Sequence, residues 1–534
     1  MTTNTMLPIQ TNSALVDTSK ISKEGKIKLA QDFCSFLDTL CTATSRATFY
    51  NTKDEQTAAI HRAHEAIFDI DRGVYQMTLM LPGVTDFSRQ VGTAKLLSNP
   101  VLGRKFCLNE DIELKVLKWI VRNIEPQRAY KLFVSFIGDK NGGSRVMSLN
   151  NARTRKVVLD FILNNEYLPL HAIKYRQKLR KILSHVIGLR MTSIVRSILS
   201  KTNRDDKEQD ILNGILKGYR GDERGLVLES VAFILGAKRE WVHDRFVAFE
   251  KAKTEGIEHG EKLPPEVLEG IRSRYWKDTK KAKVIETTKD TMTKKQKRQV
   301  QKRAKAAGVE VEFNPAQYGL VELYIYAFEM GMTEEIERAL DKKAQKIADN
   351  LPLQLDKVAI VVDCSESMFG HGSQKLRPIA VALAMRDVIQ KLAKVSCKVF
   401  NCGGREDGRL VRPRGDTFLA EGLVKAMKTE PDAVFVISDG YENAPAGRFA
   451  EVVYLLRNKL KNETPIYQLS PVLSSETAGI RSLSEMITPL PVSSPDALGI
   501  PMLKALFAAD VDRGIQYLSS LTVPRLENSG RSVS

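Results

Sequence analysis

An aspartate and two serines stand at alternate positions in Asp363-Cys-Ser365-Glu-Ser367, directly after the apolar run Val358-Ala-Ile-Val-Val362. One carboxylate and two hydroxyls are hard oxygen donors, a set that suits Mg2+ far better than zinc. Farther along, Gly415-Asp-Thr417 opens a helical pattern. Ala433-Val-Phe-Val-Ile-Ser-Asp439-Gly440 then repeats the plan of an apolar run that ends in an acid. Thr417 is a further hydroxyl and Asp439 a further acid in this constellation. The same residue types also cap strands and helices with no metal present.

The elements that must position these residues are readable. Short unbroken apolar runs rich in β-branched residues fit central strands of a parallel sheet covered on both faces. A helical stretch over 374–394 and a strand over 395–400 separate the first donor group from the second. Doubly wound α/β folds place ligands at the carboxyl ends of such strands. This order resembles a von Willebrand factor A domain with a metal-ion-dependent adhesion site. The resemblance implies Ser365, Ser367 and Thr417 as direct hydroxyl ligands, with Asp363 and Asp439 held mainly through water. It implies Mg2+ as the cofactor, with Mn2+ the alternative, and an open position for a partner's carboxylate, a phosphate or water.

At 534 residues the chain exceeds one ordinary core, so two or three domains are expected. No apolar run approaches the roughly 18 residues of a membrane helix, and the first residues do not read as a secretory signal. The six cysteines show no CxxC or Cys/His spacing, which suits reduced thiols in a cytoplasmic protein without a zinc site. Lys and Arg number 81 against 64 Asp and Glu, a net charge of +17. Residues 356–534 hold 22 basic and 20 acidic side chains, and residues 1–355 hold 59 and 44. The excess lies outside the Asp363 region and points to nucleic acid as a partner of the N-terminal part.

From residue 22 to about 271 apolar residues recur at three and four, in 27–40, 58–68, 112–124 and 155–163 among others. Many medium helices in succession predict an irregular solenoid of stacked helix pairs. Its densest basic cluster is Lys174, Arg176, Lys178, Arg180, Lys181 and His185. On one helix Lys174, Lys178 and Lys181 share a face, with Leu179, Ile182, Leu183 and Val186 opposite. Three cations on one face repel unless an anion screens them, and a phosphate backbone is such an anion. An ordinary amphipathic helix is the plainer alternative.

Lys174-Tyr-Arg-Gln followed by Leu183-Ser-His185 is similar to the TROVE module of the Ro autoantigen family of ring-shaped RNA-binding proteins. Arg46-Ala-Thr-Phe-Tyr50, Leu132-Phe-Val-Ser-Phe136 and Ser144-Arg-Val-Met-Ser…Arg153-Thr-Arg155 resemble further family segments in order. Here the early glycines are replaced by Arg46-Ala47, and the family's Trp-Gly pair is absent. The resemblance implies an all-α HEAT-like helical-repeat ring, monomeric, followed by the von Willebrand A domain. It also implies binding of small Y-type RNA on a basic outer surface and of single-stranded RNA 3′ ends in the hole. Lys174, Lys178 and His185 match the family's outer surface by position.

The expected layout is a flexible arm over 1–21, the helical ring over 22–350, the α/β domain over 356–521 and a flexible tail over 522–534. Within the ring lies a basic linker over 272–308, disordered or frayed by composition. Its Lys294, Lys295, Lys297, Arg298, Lys302 and Arg303 are further RNA candidates. No catalytic dyad or triad has local support, so a binder is expected, not an enzyme. Two functions fit. The first is a Ro-like RNA scaffold in quality control and decay that presents RNA to an exoribonuclease. The alternative is a metal-dependent adaptor that docks an ATPase or other acidic partner without specific RNA binding. Neither involves a membrane.

Overall fold

In the computed structural model, Leu355–Asp363 forms strand β1, with its last six residues buried. The described residues are 15–42, 53–99, 106–138, 148–216, 224–292, 314–351, 355–370, 375–471, 481–487, 489–492 and 494–527. Strands β2 (Ala393–Cys402), β5 (Ala433–Ile437), β6 (Ile466–Ser470) and β7 (Pro489–Pro491) join β1 in a parallel sheet of order β2-β1-β5-β6-β7. A short antiparallel pair, β3 (Arg405–Asp407) and β4 (Leu410–Arg412), leads back toward the carboxyl end of β1. Ala359, Val361, Val434 and Val436 point to one face, where Leu419, Leu423, Phe449 and Val453 of two helices cover them. Helix Arg377–Leu392 packs on β1 and β2, and its buried residues run almost without a break. Burial on both faces explains why β1 and β5 read as continuous apolar runs instead of alternating.

The chain divides into two compact units. One comprises Met1–Gly92, Val101–Ile120 and Pro315–Ser534; the other comprises Thr93–Pro100 and Val121–Asn314. The first therefore contains N-terminal helices as well as the sheet. Helix Lys23–Thr42 lies against the C-terminal pair Gly499–Ala509 and Val511–Glu527. Phe33 stacks on Phe507 at 3.6 Å between ring centroids, and buried Lys504 pairs with Asp38. Residues 522–527, expected as tail, thus continue a helix in which Thr522 and Val523 are buried. The expected arm is partly placed too, because Val16 bridges Leu108 and Thr18–Lys20 forms a helical turn.

The second unit is helical throughout its described residues. Helix Arg224–Leu235 is buried from Val227 to Leu235. A helix apolar all round belongs to a core. Helices Leu168–Lys174 and Arg176–Ile187 pack against it, and Arg176–Ile187 also packs on Pro126–Ser135 and Ala152–Leu163. The start of the expected linker is ordered here: Pro265–Tyr275 and Lys281–Thr288 are helices. Arg272 is tied to Glu269, and the Trp276 indole donates to the Ala252 carbonyl at 2.8 Å. Among the described residues no single helix is long and apolar enough to cross a membrane.

Candidate metal centre and nucleic-acid surface

Asp363 ends β1, and the chain must turn sharply there because the next residues leave the sheet. The Asp363 carboxylate guides that turn. Its Oδ1 accepts the Ser365 amide at 3.0 Å, and its Oδ2 accepts the Ser438 hydroxyl at 2.8 Å. Ser438 ends the neighbouring run after β5, so the two strand ends are stitched together one residue before Asp439. The Ser365 and Ser367 hydroxyl oxygens are 3.1 Å apart. The Glu366 amide donates to Gly415 O at 3.1 Å, which brings the segment of Thr417 alongside. Thr417 is buried, and its amide donates to Asn443 Oδ1 at 2.9 Å. Asp363 at the end of β1, and Ser365, Ser367, Thr417 and Asp439 on the loops beyond the strands, therefore lie at the carboxyl edge of β1 and β5.

Two acids come together at this edge. Asp363 and Asp439 are both buried. Burial, and then the neighbouring Asp439 charge, push the Asp363 carboxyl up to about 6. Among the described residues neither acid pairs with a Lys or Arg. A buried pair of carboxylates without a counter-charge is costly, and a divalent ion among the hydroxyls would remove that cost. The Ser365–Ser367 oxygen spacing matches the edge of an octahedron with Mg2+–oxygen bonds near 2.1 Å, which is about 3.0 Å. Among the described residues no three His, Cys, Asp or Glu side chains converge as a metal site. A centre at this edge therefore relies on hydroxyl donors.

Three supporting residues are not apparent from sequence. Asn443 holds the Thr417 loop, and Ser438 holds Asp363. Glu442 accepts the Ala420 amide at 3.2 Å and the Phe449 amide at 2.8 Å, capping the helices Leu419–Met427 and Arg448–Asn458. Their only sequence signal is proximity to Asp439.

The basic cluster differs from the single-helix expectation. The helix breaks at Tyr175 (φ −119°, ψ 21°), so Lys174 ends Leu168–Lys174 while Lys178 and Lys181 belong to Arg176–Ile187. Tyr175 packs on Tyr130 and His171 at ring-centroid distances of 5.2 and 5.6 Å. Arg176 is held inward: its Nε donates to Phe233 O at 2.8 Å, and its guanidinium lies 4.3 Å from the Phe233 ring centre. Lys174 forms an ion pair with Glu266 at 3.2 Å. Lys178 is half-buried, while Arg180 and Lys181 are exposed. His185 Nε2 lies 3.3 Å from Leu149 O, and the His185 carbonyl accepts from Asn150 at 2.7 Å. Leu179, Ile182, Leu183 and Val186 are buried, as the apolar stripe predicts. Of the six candidates, Arg180 and Lys181 face solvent most openly, and Arg176 supports the fold. The linker candidates Lys294, Lys295, Lys297, Arg298, Lys302 and Arg303 lie outside the described residues, as does the Arg46–Tyr50 segment.

No protein-family model matches the chain, and no curated protein matches it. Among solved structures, the chain is similar to the crystal structure of the Deinococcus radiodurans Ro (RSR) protein. The similarity covers 93% of this chain and 95% of that one, with 13% sequence identity and a TM-score of 0.35.

Proposed function

We propose that the chain is an RNA-binding scaffold of the Ro type. It holds small structured RNA and single-stranded RNA ends for quality control and decay, and it performs no chemistry of its own. The partition of charge carries this reading. The unit comprising 93–100 and 121–314 contains 42 Lys and Arg against 24 Asp and Glu, a net +18, whereas the rest of the chain is at −1. A phosphate backbone is the polyanion that such a unit would neutralise, through counterion release. The Lys174-Tyr-Arg-Gln and Leu183-Ser-His185 motifs fall in the same unit, and Arg180 and Lys181 extend from it into solvent. Changing Arg180 and Lys181 together to Ala is expected to weaken binding of a hairpin RNA. The slope of log K against log salt should fall by roughly 1 to 2, one phosphate contact for each cation. An unchanged slope would place the RNA elsewhere.

The α/β part supports a second, complementary role as a von Willebrand A-type dock. Asp363, Ser365, Ser367, Thr417 and Asp439 would hold Mg2+, which supplies a Lewis-acidic position for a partner's carboxylate. The protein's part is to fix the loops and bury the two acids. Calorimetric titration with Mg2+ tests this, and Asp363→Asn is expected to weaken the ion's binding by about tenfold or more. Equal binding by both proteins would remove the metal from this edge.

A further inference from the structure

Each of the three loops that carry the metal candidates also exposes one aromatic ring. Phe369 follows Ser367 by two residues and is 36% exposed. Phe418 follows Thr417 and is 47% exposed, and Tyr441 follows Asp439 by two and is 37% exposed. A single exposed ring needs no explanation. The three loops are bonded to one another, so the three exposed rings share the carboxyl edge of the sheet with the polar donors and form its rim. Aromatic rings around a polar centre are the composition found at the middle of protein interfaces. The rim is held in place. Gly440 (φ +87°) sits so close to the Arg481 carbonyl that an added Cβ would approach it to 2.4 Å. That carbonyl also accepts the Gln468 amide at 2.8 Å. The fixed backbone sets the Arg481 guanidinium 3.8 Å from the centre of the Tyr441 ring, and Lys375 Nζ lies 5.1 Å from that of Phe369.

We infer that this rim selects the partner of the metal centre. It fits a peptide segment of another protein in which one acidic residue is flanked on both sides by apolar side chains. The inference rests on the metal reading above, because the acidic residue is the one presented to the ion. The flanking apolar groups lie on the rings, whose faces carry partial negative charge already answered by Arg481 and Lys375. The charge around the mouth argues against RNA as occupant. Glu366, Asp416, Lys375, Arg414 and Arg481 are all exposed, and the unit that carries them has a net charge of −1. Mixed charge of this kind accommodates one carboxylate directed at a metal and offers no continuous cationic track for a phosphate chain.

The test uses the full chain and three labelled, end-blocked peptides in Mg2+: Ala-Leu-Asp-Leu-Ala, Ala-Ser-Asp-Ser-Ala and Ala-Leu-Asn-Leu-Ala. Fluorescence polarisation should rank the Leu-flanked acid about tenfold tighter than the Ser-flanked one. The Asn peptide should bind weakly, and chelation should abolish the difference between Asp and Asn. The triple change Phe369→Ser, Phe418→Ser and Tyr441→Ser should erase the Leu preference and leave calorimetric Mg2+ affinity unchanged. Phe418→Ser alone should do so in part, which guards against loss of folding in the triple variant. Equal binding of the Leu- and Ser-flanked acids, or no binding of any peptide, overturns the rim's role. Displacement of the Leu-flanked peptide by oligouridine also overturns it, by making the rings a base-stacking surface. If the Leu preference survives chelation and the Asn peptide binds equally, the metal reading fails while the rim remains an apolar dock.

Discussion

His171 is buried beneath the basic cluster, and its Nδ1 lies 2.8 Å from the Tyr130 hydroxyl. Burial, with a smaller contribution from the Lys174 charge, lowers its pKa from the usual 6.5 to about 4. The fold therefore favours the neutral imidazole. Its stabilising contribution is complete above pH ~6.5, where the unfolded chain is neutral too. It is lost as pH falls toward 4, because the unfolded chain takes up the proton first. A shift of this size corresponds to roughly 3 kcal/mol. In urea unfolding at pH 7 and pH 4.5, His171→Gln is expected to lose markedly less stability on acidification than the wild type. Equal losses would show that another group controls the acid limb. The same cluster shows how far single residues were legible. Its apolar stripe was readable because Leu179, Ile182, Leu183 and Val186 follow helical periodicity. The inward turn of Arg176 was not, because Phe233 is 57 positions away and only the fold brings the two together.

At the scale of elements, the continuous apolar runs identified β1 and β5, since only a doubly covered strand tolerates them. The amphipathic repeats likewise located helices such as Lys23–Thr42, Lys53–Ile70 and Glu110–Arg122. The break at Tyr175 has no local signal, because Lys-Tyr-Arg-Gln contains no Gly or Pro. Tyr175 packs there on Tyr130 of helix Pro126–Ser135, 45 positions away. Gly188 is a break that the sequence does mark. It joins Arg176–Ile187 to Leu189–Leu199 across a 116° bend, with φ +94° and ψ 143°. A Cβ there would meet nothing within 4 Å, so the penalty of Gly188→Ala is purely a matter of backbone conformation, about 1–3 kcal/mol. Gly270 is the control. It lies inside helix Pro265–Tyr275 with equally open space, and Gly270→Ala should stabilise by about 0.5–1 kcal/mol. Urea midpoints of the two variants should move in opposite directions. A shift in the same direction would mean that the Gly188 backbone relaxes.

Taken whole, the molecule divides its charge unevenly between two units. One unit concentrates the positive charge, and the other carries a small hydroxyl-rich edge with a near-neutral balance. The sequence puts the charge excess on residues 1–355, and within the compact units it falls on 93–100 and 121–314. The N-terminal helices pack with the α/β part through pairs such as Phe33–Phe507 and Lys504–Asp38, which no local pattern announces. On the proposed reading the basic unit grips RNA, and an unpaired end adds to that grip. The most direct measurement is a salt-titrated binding assay of the full chain with a duplex RNA, the same duplex bearing a single-stranded 3′ tail, and a duplex DNA. The tailed RNA is expected to bind tightest, with affinity falling steeply as salt rises. Weak binding equal for all three would contradict it and leave the metal-edge dock as the chain's principal function.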